Sequence, residues 1–154
     1  MKIGVISDSH NKVPDKILEH LEDVDLIWHL EDVDLIWHLG DVCDAGVLDD
    51  ILALEKPLKV VRGNCDFNSE WPITLTEEIE GFKFLLVHIP PDTCSEPVDC
   101  LLHGHTHVPR DEMIEGVRFL NPGTIGKPNK GAPPSMAEIE TKPDGTMEWR
   151  IIPI

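Results

Sequence analysis

The sequence predicts an α/β sandwich of two mixed β-sheets, one from each half of the chain. Up to about residue 66, short β-branched apolar runs alternate with helical periodicity, and each run ends in a polar cluster. Beyond that point, short apolar runs are separated by Glu-Gly and Asp-Gly pairs, which signal hairpins. The chain has 154 residues and no composition shift that marks a linker, so one domain over 1–154 is expected.

The elements follow in order. Lys2–Ser7 reads as a buried strand, and Asp8-Ser9-His10-Asn11 falls at its C-terminal end, where α/β sheets place ligand sites. Pro14 opens a helix with Ile17, Leu18 and Leu21 on one face. Then EDVDLIWHL occurs twice in tandem, at Glu22–Leu30 and Glu31–Leu39. A nine-residue unit present only twice is too short for a solenoid. Only the second copy runs into Gly40-Asp41, so it is expected to supply the strand Asp34–Leu39. Ile17, Leu21, Val24 and Trp28 fall at helical spacing, so the first copy is expected to extend the preceding helix. One sequence should therefore take two conformations.

Val42–Leu54 carries a helical pattern that ends before Pro57, and Leu58–Arg62 is a third strand leading into Gly63-Asn64-Cys65-Asp66. In the second half, Ile73–Ile79, Lys83–His88, Val98–Leu102, Val117–Leu120 and Glu148–Ile152 read as strands. Turns are placed at Glu80-Gly81, Glu115-Gly116 and Asp144-Gly145, and Pro128–Pro134 is a Gly/Pro-rich loop.

Composition narrows the function. The formal net charge is −16, which repels polyanions and argues against stable binding to duplex nucleic acid or to an anionic membrane. No apolar run approaches the roughly 18 residues of a membrane span, and the N-terminal apolar run is too short for a signal peptide. A cytoplasmic location is expected. Cys43, Cys65, Cys94 and Cys100 show no Cys-x-x-Cys spacing, so zinc-finger and thioredoxin chemistry is excluded and reduced thiols are expected.

The chemistry gathers at strand ends. In Gly104-His105-Thr106-His107, two imidazoles at i and i+2 share one side of an extended backbone. Alone this is weak. Upstream, Asp8, His10, Asp41, Asn64 and His88 supply the remaining donors of a two-metal centre. Mixed nitrogen and oxygen donors suit Mn²⁺, Fe²⁺, Co²⁺, Ni²⁺ or Zn²⁺ better than Mg²⁺ or Ca²⁺. Without cysteine ligands, an open site is expected rather than a closed structural one.

Asp8-x-His10, Gly40-Asp41, Gly63-Asn64, His88 and Gly104-His105-x-His107 resemble, in order, the signature of the calcineurin-like metallophosphoesterases. Gly63-Asn64-Cys65-Asp66, Gly104-His105-Thr106-His107 and Asn121-Pro122-Gly123-Thr124 look most like its small prokaryotic phosphodiesterases of the YfcE type. The resemblance implies a four-layer αββα sandwich. It implies that Asp8, His10 and His107 hold one divalent metal, that Asn64, His88 and His105 hold a second, and that Asp41 bridges them. Mn²⁺ leads the expected metals, ahead of Ni²⁺, Zn²⁺, Fe²⁺ and Co²⁺. The implied activity is hydrolysis of small phosphodiesters by a hydroxide bridging the metals, with Asp41, Asn64 and His105 nearest the chemistry.

Two departures stand out. Family members commonly continue the fourth motif as His-Gly-His, where this chain has His88-Ile89-Pro90-Pro91. Larger relatives carry a histidine after the motif asparagine, where this chain has Cys65-Asp66. The general acid is left open, with Asp66 either filling that role or forming a turn. Arg62 either touches a phosphate or pairs with an acidic residue. His38 is expected to be structural, His103 to point away from the site and His20 to face solvent, while Asn121-Pro122-Gly123 shapes the site. The alternatives to a phosphodiesterase are a phosphomonoesterase and a non-catalytic scaffold on the same fold. A small phosphodiester is the expected partner, and a homo-oligomer stays open.

Overall fold

The computed structural model describes residues 1–10, 29–43, 45–68, 70–126 and 129–154. The first predicted run forms β1 (Lys2–Ile6). The second copy of the repeat supplies β2 (Leu35–His38), which lies parallel to β1 with Ile3 opposite Leu35 and Ile6 opposite His38. After α1 (Ala45–Leu52) comes β3 (Leu58–Val60), parallel to β2. Two later strands complete this sheet, β9 (Ser135–Thr141) and β10 (Met147–Pro153), both antiparallel to their neighbours. Its order is β10-β9-β1-β2-β3.

The second sheet is built from β4 (Thr74–Ile79), β5 (Phe82–Val87), β6 (Cys100–Leu102), β7 (Arg110–Ile114) and β8 (Val117–Asn121). Its order is β4-β5-β6-β8-β7, with β5, β6 and β8 parallel and antiparallel strands at both edges. Two mixed five-stranded sheets are the expected sandwich, but the expected division of one sheet per half of the chain is not kept: β9 and β10, from the second half, join the first sheet because β9 pairs with the free edge of β1. Glu80-Gly81 and Glu115-Gly116 close the hairpins at those edges with positive φ at both residues, as type I′ turns require.

Two strands go beyond those expected. β7 reads RDEMI, an edge strand whose charged residues face solvent, so it shows no apolar run. β9 reads SMAEIET and lies between two neighbours, buried along most of its length. It lacks the β-branched density by which a central strand is ordinarily recognised.

The period-2 alternation of strands sorts the core into layers. Ile3, Val5, Leu35, Trp37, Ala137 and Ile139 of the first sheet meet Phe84, Leu86, Leu102 and Leu120 of the second. Trp37 and Phe84 join the sheets edge to face at 5.2 Å between ring centroids. On the other side of the first sheet, Ile6, Ile36 and Met136 pack with Ile51 of α1 and with Leu30.

The other side of the second sheet, Leu101, Val117 and Phe119, packs against Cys94 and Val98. These belong to residues 88–99, the crossover between parallel β5 and β6. Such a connection takes about a dozen residues and is usually helical. Here it is irregular, because Pro90, Pro91 and Pro97 interrupt any helix.

The repeat takes two environments where it is described. His29 and Leu30 of the first copy are helical and outside the sheet pairing, whereas His38 is the last residue of β2. His29 is exposed and His38 fully buried. The helix expected from Pro14, its extension through Trp28, and His20 lie outside the described residues.

Candidate metal centre

Every predicted ligand follows the C-terminal end of a strand: Asp8 and His10 after β1, Asp41 after β2, Asn64 after β3, His88 after β5, and His105 and His107 after β6. The parallel alignment of β1–β3 and of β5 with β6 brings those ends to one edge of the sandwich. The seven side chains converge there. Asp8 Oδ1 lies 3.1 Å from His107 Nε2, 3.8 Å from His10 Nε2 and 3.9 Å from His88 Nε2. Asp41 Oδ2 lies 3.4 Å from His88 Nε2 and 3.7 Å from His10 Nε2. Asn64 Oδ1 is 3.0 Å from both His88 Nε2 and His105 Nδ1.

The arrangement fits cations. Asp8 is fully buried, and among the described residues no hydrogen-bond donor is assigned to its Oδ1. Leaving a buried carboxylate oxygen unsatisfied is costly, and a metal ion relieves the cost. His10 Nε2 and His107 Nε2 point at each other across 3.1 Å. Nitrogens that share a metal at about 2.1 Å each are spaced in just this way. His88 Nδ1 donates to the Leu39 carbonyl at 2.8 Å, which leaves the Nε2 lone pair facing the carboxylates. Ligand atoms of Asp8, His10 and His107 lie within 4.8 Å of one another, and so do those of Asp8, Asp41 and His88. Asp8 takes part in both groups, so both carboxylates lie between the histidines.

Backbone strain collects at the same place. Asp8, His10, Asp41, His105 and His107 all adopt left-handed φ, between 37° and 69°. For non-glycine residues this costs about 1–3 kcal/mol each and is retained where a site demands it. The motif glycines serve close approach. A Cβ on Gly104 would lie 2.0 Å from Ser7 Oγ and 2.6 Å from Asp8 Oδ2, and one on Gly63 would lie 2.1 Å from Asp41 Oδ1.

The surrounding polar residues hold the ligands. Ser7 Oγ and the His105 N–H both donate to Asp8 Oδ2. Thr124 Oγ1 donates to the Asp8 carbonyl, and the Asn121 amide donates to the Gly104 carbonyl and Thr106 Oγ1. Asn121 and Thr124 thus shape the site, in line with the expectation for their loop.

The Asp66 carboxylate accepts the backbone N–H groups of Asp41, Val42, Cys43 and Gly63, at 2.8–3.1 Å. All its acceptor positions face backbone donors, so Asp66 braces two ligand loops and is not placed as a general acid. Sequence reasoning also passes over Cys43, whose Sγ is 3.6 Å from His10 Nδ1. Its thiol is pushed up to about 12 by burial first and by Asp41 next.

Two further histidines are buried beside the ligands. The Gly40 N–H donates to His38 Nδ1, which places the proton on Nε2, aimed at Ser9 Oγ. His103 Nδ1 is 3.0 Å from the Gly104 carbonyl. Burial pushes both imidazoles from 6.5 down to about 4. In the unfolded chain each takes up a proton below about pH 6.5. Their contribution to stability is therefore complete above pH 6.5 and is lost as pH falls from 6.5 through about 4. Metal-free protein is expected to lose a few kcal/mol in urea titrations between pH 7 and pH 4.5, at about 1.4 kcal/mol per unit of depression. A flat profile would show that neither histidine is held neutral.

The sequence pattern of the calcineurin-like phosphoesterase superfamily domain matches residues 1–144. The chain belongs to this superfamily. It is accordingly a metal-dependent phosphoesterase, a hydrolase of phosphoric esters. A probable metallophosphoesterase of Methanothermobacter thermautotrophicus is 34 % identical over 154 aligned positions, covering 88 % of this chain and 84 % of the relative. Among solved structures, an archaeal phosphodiesterase superposes with a TM-score of 0.75 at 23 % identity, over 99 % of this phosphoesterase and 100 % of that chain. A Vps29 of Entamoeba histolytica complexed with zinc superposes with a TM-score of 0.70 at 22 % identity, over 99 % and 98 %. At these identities the two structures attest the fold alone. Among the described residues, no helix is long and apolar enough to cross a membrane.

Proposed function

We propose that this phosphoesterase hydrolyses small phosphodiesters at a pair of divalent ions. Asp8, His10 and His107 hold one ion, Asn64, His88 and His105 hold the other, and Asp41 lies between them. The observation that carries the reading is the buried, donor-free Asp8 Oδ1 faced by three imidazole nitrogens. When bound, the ions supply a water activated as hydroxide and neutralise charge on the phosphoryl oxygens.

The chain's own residues set the direction of approach. Asp8, Asp41 and His88 are buried, whereas Asn64 and His105 are exposed. The exposed pair forms the rim that a substrate meets first. Two divalent cations against two carboxylates leave about +2, which attracts an anionic ester to an otherwise acidic protein. The phosphodiester preference rests on the scarcity of cationic side chains here. A monoester dianion calls for more positive charge, and Arg62 is the sole sequence candidate near the ligands. The superposing archaeal phosphodiesterase supports the same choice.

The scaffold reading draws on the likeness to Vps29. Against it stands a complete ligand set, with all four candidate histidines present. The test is chelation followed by reloading. Mn²⁺ or Ni²⁺ is expected to restore hydrolysis of bis(p-nitrophenyl) phosphate, with Zn²⁺, Fe²⁺ and Co²⁺ as further trials. Folded protein that turns over no phosphodiester with any of these metals would favour the scaffold.

A further inference from the structure

Beside the candidate metal centre a cavity of about 430 Å³ opens to the surface, with Asn64 and His88 among its lining residues. Its remaining wall is formed chiefly by Arg62, Ile73, Thr74, Val87 and Ile89. Three features set it apart. The first is its size, which suits a nucleoside-sized group rather than a bare phosphoryl oxygen. The second is its apolar surface: Ile73, 62 % exposed, and Ile89, 55 % exposed, both line this one cleft.

The third is the state of Arg62. The protein has four arginines and 29 acidic residues. Arg110 pairs with Glu112, Arg118 with Asp111 and Arg150 with Glu138. Among the described residues, the Arg62 guanidinium alone of the four has no carboxylate partner or side-chain hydrogen bond. Asp66 also lines the cleft, but its carboxylate is taken up by four backbone N–H groups, so in this acidic chain the Arg62 guanidinium makes no ion pair among the described residues and is available to an incoming anion.

We infer that this cleft holds one ester group of the substrate, and that Arg62 recognises a second phosphate carried on that group. The occupant is a nucleotide-type phosphodiester: the reacting phosphate at the candidate metal centre, the nucleoside against the apolar wall that includes Ile73 and Ile89, and a further phosphate at Arg62. This rests on the phosphodiesterase reading above and adds a substrate class to it.

The test compares a 5′-phosphorylated dithymidine dinucleotide with its unphosphorylated form, on Mn²⁺-loaded enzyme. The phosphorylated form is expected to have a kcat/KM about tenfold to a hundredfold higher, the range of a charge-assisted pair. In Arg62→Ala the ratio should fall towards one, and Arg62→Lys should keep part of it. Calorimetry on the same proteins provides a readout independent of turnover. Thymidine 3′,5′-bisphosphate should bind more tightly than thymidine 3′-monophosphate to the parent protein and no more tightly to Arg62→Ala. Equal turnover of the two dinucleotides by the parent protein would overturn the role of Arg62 and leave the phosphodiesterase reading standing. If neither dinucleotide is cleaved while p-nitrophenyl phosphate is, the phosphodiesterase reading fails. The binding arm then decides Arg62 alone, and equal affinity for the two nucleotides would overturn it.

Discussion

Asp41→Asn is expected to remove both metal ions and to lower phosphodiester hydrolysis by roughly 10³-fold or more. Asp41 Oδ1 accepts the Cys65 N–H at 2.7 Å, while Oδ2 faces His88 and His10. An asparagine has one acceptor oxygen for these two tasks. If that oxygen keeps the Cys65 N–H, the amide NH₂ is turned on the histidine nitrogens, and a cation is repelled. If the amide flips, the loop that carries Asn64 loses its tie. Either way the site forfeits a negative charge that both groups of histidines share. Several kcal/mol of charge stabilisation convert to rate at 1.36 kcal/mol per tenfold. The comparison is His107→Ala, which touches only the group around Asp8 and His10 and should retain about one ion per chain. Elemental analysis of the two purified variants separates the outcomes. Equal metal content in both would contradict the bridging position of Asp41.

Asp66→Ala is expected to cost about 3–5 kcal/mol of stability and to abolish activity together with it. Four backbone N–H groups, from Gly63 and from Asp41 through Cys43, lose their acceptor in one step. A hydrogen bond to a charged group contributes about 1.5–3 kcal/mol, less when water replaces it, and the four are not additive. The loops concerned carry Asp41 and Asn64, so the loss also misplaces ligands. Asp66→Asn sharpens the test, because its NH₂ would confront two of the four donors and rescue little. Urea melts with a parallel metal titration measure both effects. An Asp66→Asn protein with full stability but no activity would instead restore Asp66 as a proton donor.

The sandwich is legible in the sequence because its signals are local. β1 and β2 announce themselves as apolar runs, and each ends in the polar residues that the parallel arrangement then gathers. The ligand candidates are legible for the same reason: spacing relative to strand ends survives in one dimension. What escapes is decided by neighbours. Glu115-Gly116 and Asp144-Gly145 read as hairpin turns, yet an apolar run marks a strand on only one side of each. The partners β7 and β9 emerge once a hairpin is required to have two arms. Asp66 is ambiguous because a strand-end aspartate looks alike whether it forms a turn or braces a neighbouring loop. Its four donors come from two separate stretches of chain, brought together only by the β2–β3 pairing. Arg62 is undecidable in sequence, since pairing or solitude depends on which of the many carboxylates folds beside it.

The tandem nonapeptide has a consequence for how the chain reaches this state. Glu22–Leu30 and Glu31–Leu39 are chemically indistinguishable, so either could compete for the slot beside β1 while the chain is still collapsing. A frame shifted by nine residues would carry Glu31-Asp32 to the sheet edge in place of Gly40-Asp41; Asp32 would keep a carboxylate there, but Glu31 would replace Gly40, whose φ is 96° and where a Cβ would lie 2.7 Å from the Gly63 nitrogen. Discrimination between correct and decoy alignment therefore falls to Gly40, just downstream of the second copy, and not to the nonapeptide itself. Refolding is expected to show a slow escape phase that disappears when the first copy is deleted.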